Sequence, residues 1–249
     1  MHDGISLKRK FYPEATIGGF SHVDIGVQFY TRIAALLKPT DRVLDFGAGR
    51  GAQILEDRIE FRQQLQKLRG RVARVDGCDL DPAVFDNPFI DEARLIEGPS
   101  APLPYDDATF DLIFCSWVFE HVADPEFTSR ELLRILKPGG HICALTPNKW
   151  GYLALASRAA GSSNHVKLLK RIQPERKAHD VFPTCYKLNT PAAIRRYFGH
   201  AADTVAYSAA GEPAYHFNNP VVFRGLKLLH TVLPPRLRPA LLIFIRKHG

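Results

Sequence analysis

Three glycines, Gly47, Gly49 and Gly51, stand close together after a short apolar run. That run, Arg42–Phe46, predicts a β-strand, and residues 52–69 predict a polar-rich helix. A strand, a glycine-rich turn and a helix in this order place backbone N–H groups and a helix N-terminus beside a ligand at the carboxyl end of the strand. Since glycine lets the backbone approach a ligand closely, the pattern predicts a site for a nucleotide-like cofactor.

Two carboxylates stand near the ends of the first two predicted strands and narrow the choice of cofactor. Asp45 lies two residues before Gly47, where dinucleotide-binding enzymes usually keep an apolar residue. A carboxylate there favours a ligand with an amino group and a positive centre over a pyrophosphate. Asp79 ends the strand predicted at residues 73–79, and its carboxylate can accept hydrogen bonds from both hydroxyls of an unphosphorylated ribose. The ribose contact suits any adenosine cofactor, whereas Asp45 disfavours NAD and FAD.

The first half of the chain alternates short apolar runs with helical stretches, which predicts a parallel sheet built from βαβ units. Further strands are predicted at 93–97, 110–115, 141–146, 204–208 and 240–246, and further helices at 125–136, 190–198 and 221–233. Thr190 is the expected N-cap of its helix and Pro191 its first residue. The segment Lys137–Gly140 predicts a break and a turn before the next strand.

Five sequence blocks follow one another over about 42–147. They are Val43–Gly51 (VLDFGAGRG), Cys78–Pro82 (CDLDP), Leu103–Ile113 (LPYDDATFDLI), Val118–Val122 (VFEHV) and Arg134–Gly140 (RILKPGG). Together they resemble the motifs of class I S-adenosylmethionine-dependent methyltransferases, in the branch typified by ubiquinone- and menaquinone-type small-molecule enzymes. Beyond residue 148 the resemblance is looser, to bacterial members thought to methylate glycans or secondary metabolites.

The resemblance implies an α/β fold. The expected architecture is a Rossmann-like, seven-stranded, mostly parallel sheet of order 3-2-1-4-5-7-6, flanked by helices and with inserts after strands 5 and 6. We expect one methyltransferase domain over 1–249. Its parts are N-terminal cap helices (1–40), a cofactor-binding core (41–147), a basic insert or lid (148–189), and C-terminal strands and helices (190–249).

The resemblance also implies S-adenosylmethionine as cofactor and S-adenosylhomocysteine as product. The residues implied to bind it are Asp45, Gly47, Ala48, Gly49, Asp79, Leu80, Ser100, Ala101, Ser116 and Trp117. The first four would hold the methionine part, the next two the ribose and adenine, and the following two the adenine edge. The last two would lie beside the transferable methyl group. Pro99 stands where the family often has an acidic residue for the adenine amino group, so Ser100 or backbone groups must make that contact.

Catalysis depends mainly on placing the acceptor in line, about 3 Å from a methyl group that is already electrophilic. A base is needed only for a hydroxyl or a protonated amine, and histidine suits that task near neutral pH. His121 is the first candidate; its alternative role, shared by Glu120, is structural. His179 and Asp180 are a second candidate base and orienter, although they also fit a simple lid segment. Aromatic residues near the N-terminus, including Tyr30, either cover the cofactor or pack in the core.

Charge is distributed unevenly along the chain. Residues 1–147 carry 17 Lys and Arg against 22 Asp and Glu, whereas residues 148–249 carry 16 against 4. The C-terminal part therefore either meets an anionic partner or presents a solvated basic surface. Residues 221–233 have the spacing of an amphipathic helix, with Val222, Leu226, Leu229 and Leu233 on one face. We favour packing on the sheet between the last two strands, and peripheral membrane contact through 221–238 is the alternative.

Composition excludes several classes of protein. With 45% apolar and 24% charged residues, the 249-residue chain is not collagen-like, coiled-coil or largely disordered. Its four cysteines form no CxxC pair and its histidines show no metal spacing, so we expect reduced core thiols and no metal. No apolar stretch reaches the roughly 20 residues that span a bilayer, and the N-terminus does not resemble a signal peptide. We expect a cytoplasmic protein, at the inner membrane surface if 221–238 binds lipid.

The leading hypothesis is methyl transfer to an oxygen, nitrogen or carbon of a small-molecule acceptor, which an anionic glycan- or lipid-linked compound would fit. A methyltransferase acting on RNA or DNA is an alternative that the basic region would serve. It is disfavoured because Cys115–Val118 is not the Asp/Asn-Pro-Pro-aromatic sequence of adenine-amino methyltransferases, and no Pro-Cys nucleophile occurs. A non-catalytic cofactor-fold binding protein is disfavoured by the intact glycine loop, and a dehydrogenase by Asp45.

Overall fold

The computed structural model describes residues 4–159, 183–214 and 216–249. The strands are β1 (Arg42–Phe46), β2 (Arg74–Asp79), β3 (Glu92–Leu95), β4 (Phe110–Ser116), β5 (Leu136–Pro147), β6 (Ala202–Ala209) and β7 (Ala240–Lys247). They form one sheet of order β3-β2-β1-β4-β5-β7-β6. β7 is antiparallel to both of its neighbours, and the other pairs are parallel. The predicted fold class and strand order are confirmed.

The helices of the described ranges are α1 (Gly4–Phe11), α2 (Ile25–Leu36), α3 (Ala52–Leu55), α4 (Glu60–Gln66), α5 (Pro125–Ile135), α6 (Tyr152–Ala159), α7 (Pro191–Phe198) and α8 (Pro220–Val232). Side-chain caps explain where several of them begin. Asp24, Asp124 and Asn219 accept hydrogen bonds from backbone N–H groups in the first turns of α2, α5 and α8. The Thr190 side chain caps α7 and Pro191 is its first residue, as predicted.

The core lies on both faces of the sheet, because successive side chains of a strand point to opposite sides. Leu44 and Ile113 pack with buried residues of α5 and α7 on one face. Val43 and Leu112 pack with Phe29 of α2 on the other face. The near-continuous apolar runs of β1 and β4 therefore match strands covered on both sides. This burial fixes the carboxyl ends of the two strands at one edge of the sheet.

Two predicted elements differ in extent from the structure. The helix predicted over 52–69 is wrong, because α3 and α4 are separated by a break. Asp57 explains the break: its carboxylate accepts a hydrogen bond from Ile59 N at 2.9 Å and binds the guanidinium of Arg62. Leu55, an apolar residue of α3, is consequently exposed. β5 begins at Leu136, so the predicted turn at 137–140 lies within the strand; the other strands agree with prediction to within two residues.

The helix α8 exists where it was predicted, but its packing differs. Of the four residues expected to face the sheet, Leu233 is buried, whereas Val222 and Leu229 are exposed. Phe223 is buried instead, against Phe11 of α1, with the ring centroids 4.8 Å apart. His230 is buried as well and lies beside Tyr152 of α6. Contacts with α1 and α6 therefore determine which face of α8 is buried. The spacing of apolar residues within α8 does not contain this information.

The cysteines behave as predicted. Cys78, Cys115 and Cys143 are buried free thiols in β2, β4 and β5, and Cys185 is a partly exposed free thiol. Among the described residues, no three His, Cys, Asp or Glu side chains come together in a way that could hold a metal ion. None of the helices described is both long enough and apolar enough to cross a membrane.

Candidate active site

The glycine-rich loop after β1 adopts a conformation that its glycines make possible. Gly47, Gly49 and Gly51 have φ angles of +78°, +46° and +74°, in the left-handed region that disfavours other residues. A Cβ on Gly47 would also overlap the side chain of Val118, which follows β4. The loop is tied to β2 by a hydrogen bond of 2.8 Å from Gly47 N to Cys78 O. The loop backbone therefore forms an open cradle at the carboxyl edge of the sheet, and its glycines and this hydrogen bond stabilise that shape.

Asp79 joins this cradle from the end of β2. Its Oδ2 accepts a hydrogen bond from Gly49 N at 2.8 Å, and its Oδ1 accepts one from Asp81 N at 2.9 Å. Burial raises the pKa of this carboxyl group. An ionised carboxylate has about four acceptor positions, so each oxygen can still accept from a ribose hydroxyl. Leu80 beside it is exposed, as an apolar surface for an adenine ring would be.

Asp45 lies in β1 between Gly77 of β2 and Phe114 of β4. Burial, together with the negative charge of Asp79, raises the pKa of its carboxyl group to about 8. Across the described ranges, no side chain or backbone group forms a hydrogen bond or ion pair with this carboxylate. A desolvated carboxylate without a cation is unfavourable, and a positively charged ligand would relieve it. The chemistry of the site therefore fits the amino group and the sulfonium of S-adenosylmethionine.

Two residues that the sequence analysis missed hold the loop from outside. Asn87 donates from Nδ2 to the carbonyls of Ala48 and Gly49, at 3.2 and 3.1 Å, and accepts at Oδ1 from Phe89 N at 3.0 Å. Gln53 donates from Nε2 to Ser116 O at 3.1 Å. Asn87 follows a short 3-10 helix, Pro82–Asp86, that folds back beneath the loop. Its neighbour Pro88 was the available signal, since an Asn-Pro pair marks a turn.

The end of β4 forms the opposite wall of the cradle. Trp117 follows the last residue of the strand, Ser116, and has a φ of +61°, which a bulky side chain rarely adopts. A hydrogen bond of 2.7 Å from its N–H to Leu145 O keeps the backbone in this conformation. Such outliers concentrate at ligand-binding positions. Tyr30 of α2 is buried against Phe114, and its pKa is raised by burial and by the charge of Asp45, so it lies beneath the site as part of the core.

The candidate base His121 lies in the 3-10 helix Phe119–His121 that follows β4. Its Nδ1 is 2.9 Å from the carbonyl oxygen of Pro183, and its Nε2 is 4.0 Å from Glu120 Oε1. Because a carbonyl oxygen can only accept, Nδ1 carries the hydrogen and Nε2 is the basic nitrogen of the neutral ring. The other two candidates, His179 and Asp180, lie outside the described residues.

A buried polar network connects β4, β5 and the chain that returns from the insert. Thr146 donates from Oγ1 to Glu120 Oε2 at 2.8 Å, and Asn189 donates from Nδ2 to Thr146 Oγ1 at 2.7 Å. The backbone N–H groups of Cys185 and Tyr186 donate to Glu120 O. Glu120 thus holds residues 183–189 against the end of the sheet. Sequence reasoning missed Thr146 and Asn189 because neither belongs to a recognisable motif.

The structure brings most of the implied cofactor residues to one edge of the sheet. Asp45 lies near the end of β1, and the loop Gly47–Gly49 follows that strand. Asp79 ends β2 and Leu80 follows it. Ser116 ends β4 and Trp117 follows it. The carboxyl ends of adjacent parallel strands around a change of strand order are where α/β sheets bind ligands. The other two implied cofactor residues lie in the turn after β3. Ser100 is exposed and Ala101 is partly buried.

The fold is that of Rossmann-like, class I methyltransferases. A chain of the complex between the Haloferax volcanii Trm112 methyltransferase activator and a putative methyltransferase is similar in structure, with a TM-score of 0.55, 20% identity, and coverage of 91% of this chain and 93% of that one. The YcgJ protein of Bacillus subtilis is similar with a TM-score of 0.52, 16% identity and coverage of 89% and 99%. At these identities the likeness shows the fold alone.

Sequence comparison adds the family. Residues 44–144 match the family described as a methyltransferase domain. Relatives include the ubiquinone/menaquinone biosynthesis C-methyltransferase of Idiomarina loihiensis, 28% identical over 43% of each chain. The demethylmenaquinone methyltransferase of Symbiobacterium thermophilum is 28% identical over 45% of each. Residues 44–144 thus match a methyltransferase domain, and relatives of this segment include enzymes named for ubiquinone and menaquinone biosynthesis. The matches span less than half the length of these curated relatives.

Proposed function

We propose that the protein transfers a methyl group from S-adenosylmethionine to an oxygen, nitrogen or carbon nucleophile of a small-molecule acceptor. The observation that carries this proposal is Asp45, a desolvated carboxylate with a pKa of about 8 and no cation among the described residues. Its position beside the glycine loop suits a ligand that brings its own positive charge. NAD and FAD would place a pyrophosphate here, and the negative charge of the Asp45 carboxylate would repel it.

Each part of the cradle has a role in this proposal. Asp45 and the backbone of Gly47–Gly49 hold the charged methionine part, Asp79 accepts from the ribose hydroxyls, and Leu80 packs on the adenine. Ser100 and Ala101 border the adenine edge, while Ser116 and Trp117 lie beside the methyl group. The bound cofactor supplies the electrophilic methyl group, and the chain supplies the position of the nucleophile.

His121 is the proposed base where the acceptor must lose a proton. Its Nδ1–H is directed at Pro183 O, so Nε2 is left as the proton acceptor. The hydrogen bonds from Cys185 and Tyr186 to Glu120 O hold the same returning segment against the 3-10 helix. His179 and Asp180 stay in the proposal as a second base and its orienter, supplied by the insert.

The proposed acceptor is anionic and linked to a glycan or a lipid. The excess of 16 basic over 4 acidic residues in 148–249 supports an anionic acceptor. The names of the curated relatives, which refer to ubiquinone and menaquinone biosynthesis, support an acceptor of low polarity and a carbon nucleophile. We place the acceptor side of the site beside His121, since the cofactor residues occupy the ends of β1 and β2.

Calorimetric titration of the purified protein with S-adenosylhomocysteine and with NADH tests the proposal. We expect micromolar binding of the first, on the order of −8 kcal/mol, and none of the second. Asp45→Ala should abolish the binding, whereas Asp203→Ala, which removes an exposed carboxylate of β6, should not. Binding of NADH, or a folded protein that does not bind S-adenosylhomocysteine, would contradict the proposal.

A further inference from the structure

The helix α8 presents an apolar stripe to the solvent. Val221, Leu228 and Val232 are 78%, 66% and 70% exposed, and Phe217, which precedes the helix, is 67% exposed. The spacing of the first three, seven and four residues, places them on one side of α8. Scattered apolar residues on a surface are ordinary, but an aligned stripe of three with a fourth exposed apolar residue just before the helix indicates a binding surface.

The orientation of this stripe is fixed by the other side of α8. Phe223 packs against Phe11 and lies 6.1 Å from the ring of Tyr12. His230 is 2.8 Å from the hydroxyl of Tyr152 through Nε2 and 3.1 Å from Gly211 O through Nδ1. Because these contacts use aromatic and polar groups on the buried face, α8 cannot turn its stripe inward without breaking them.

The surroundings of the stripe are basic. Residues 216–240 contain no Asp or Glu, and Arg224 and Arg236 are exposed. Arg224 and Lys227 line an open groove of about 530 Å³ together with Phe11, Leu228 and Thr231. The end of α1, which packs against α8, adds the exposed residues Arg9 and Lys10. Apolar side chains inside a rim of cations match the acyl chains and phosphates of an anionic lipid surface.

A second copy of the chain fits this surface less well. In a two-fold dimer the patch would meet itself, and its cations would face the same cations of the other copy. An anionic bilayer satisfies the stripe and the rim together. α8 also follows β6, which runs parallel to β1, so the helix leaves the sheet at the edge that carries the glycine loop.

We propose that α8 docks this protein on an anionic membrane surface. Phe217, Val221, Leu228 and Val232 enter the boundary between headgroups and acyl chains, and the exposed Arg224 contacts lipid phosphates. The surface goes beyond the proposed methyl transfer and does not depend on it.

Vesicle flotation of the full chain tests the proposal. The probes are vesicles of phosphatidylcholine alone and of phosphatidylcholine mixed with phosphatidylglycerol. We expect binding to the mixed vesicles only, weakened by salt. Val221→Ser/Val232→Ser should weaken it by at least about tenfold, since two apolar side chains lose their burial. Arg224→Gln should weaken it by about fivefold, the contribution of one cation near such a surface.

Matched controls separate α8 from the rest of the molecule. Val205→Ser removes an exposed valine from β6, and Arg130→Gln removes an exposed cation from α5; both should bind as the wild type does. Circular dichroism of every variant reports folding independently of lipid and of cofactor binding. A folded wild type that ignores anionic vesicles would overturn the proposal, as would α8 variants that bind like wild type. A wild-type dimer that the double valine variant converts to monomers would assign the stripe to a second copy instead.

Discussion

The carboxyl edge of the sheet and the C-terminal part of the chain carry charges of opposite sign, and they distribute them differently. At the edge, Asp45 and Asp79 are two carboxylates brought together by adjacent strands, and burial raises the pKa of both. In the C-terminal part, Arg224 and Arg236 are exposed cations within residues 216–240, a stretch that contains no Asp or Glu. The edge concentrates unfavourable negative charge in a narrow, rigid place, which suits one small cationic ligand. The C-terminal surface spreads positive charge over a broad area, which suits an extended anionic partner.

The largest expected effect comes from a single methyl group in the glycine loop. Gly47→Ala should lower the free energy of unfolding by about 3 kcal/mol or more, because its φ of +78° disfavours alanine and its Cβ would overlap Val118. S-adenosylhomocysteine binding should be lost as well. Urea unfolding, followed by circular dichroism, and calorimetry check the two expectations.

The matched substitution lies in the other region. Gly225→Ala places the same methyl group within α8, where no atom lies within 4 Å. It should raise the free energy of unfolding by about 0.5–1 kcal/mol, since alanine favours a helix over glycine. Equal losses of unfolding free energy for Gly47→Ala and Gly225→Ala would show that the glycine loop is no more constrained than the exposed helix.

The difference in how strongly burial constrains each region also explains which features the sequence could predict. The strands, the glycine loop and the positions of Asp45 and Asp79 follow from local patterns, because burial on both faces leaves few arrangements for β1 and β2. Asn87 could not be found this way, since its hydrogen bonds to the loop arise only when the segment after β2 folds back. The break at Asp57 likewise depends on Arg62, which lies in the helix that the break creates.

The buried face of α8 illustrates a different limit. Apolar residues occur on two sides of this helix, so the spacing alone does not say which side packs. Phe223 is selected because α1, more than two hundred residues earlier in the chain, arrives there with Phe11. Non-local partners of this kind decide packing, and they also leave the stripe of Val221 and Val232 outside.

A middle-sized effect is expected where the two regions meet. Thr146→Val removes the hydroxyl that donates to Glu120 Oε2 and accepts from Asn189 Nδ2, so two buried hydrogen bonds are lost. We expect a loss of about 1–3 kcal/mol of unfolding free energy, by urea titration. Thr146→Ser, which keeps the hydroxyl, should recover most of it. Thr204→Val, on the partly exposed strand β6, should change stability little; a similar loss there would mean that the network contributes nothing specific.

The last prediction turns the raised pKa of Asp45 into a pH dependence. Without ligand, its carboxyl group titrates near pH 8, and a bound cation favours the ionised form. Binding of S-adenosylmethionine below pH 8 must therefore release a proton, so its affinity should rise with pH by up to about tenfold per unit and level off above 8. Calorimetry in buffers of different ionisation enthalpy counts that proton. Asp45→Asn, which cannot ionise, should bind weakly and without this slope. Vesicle binding does not involve Asp45 and should not change between pH 6 and 8. A parallel change in both activities would mean that the edge and the C-terminal surface are coupled.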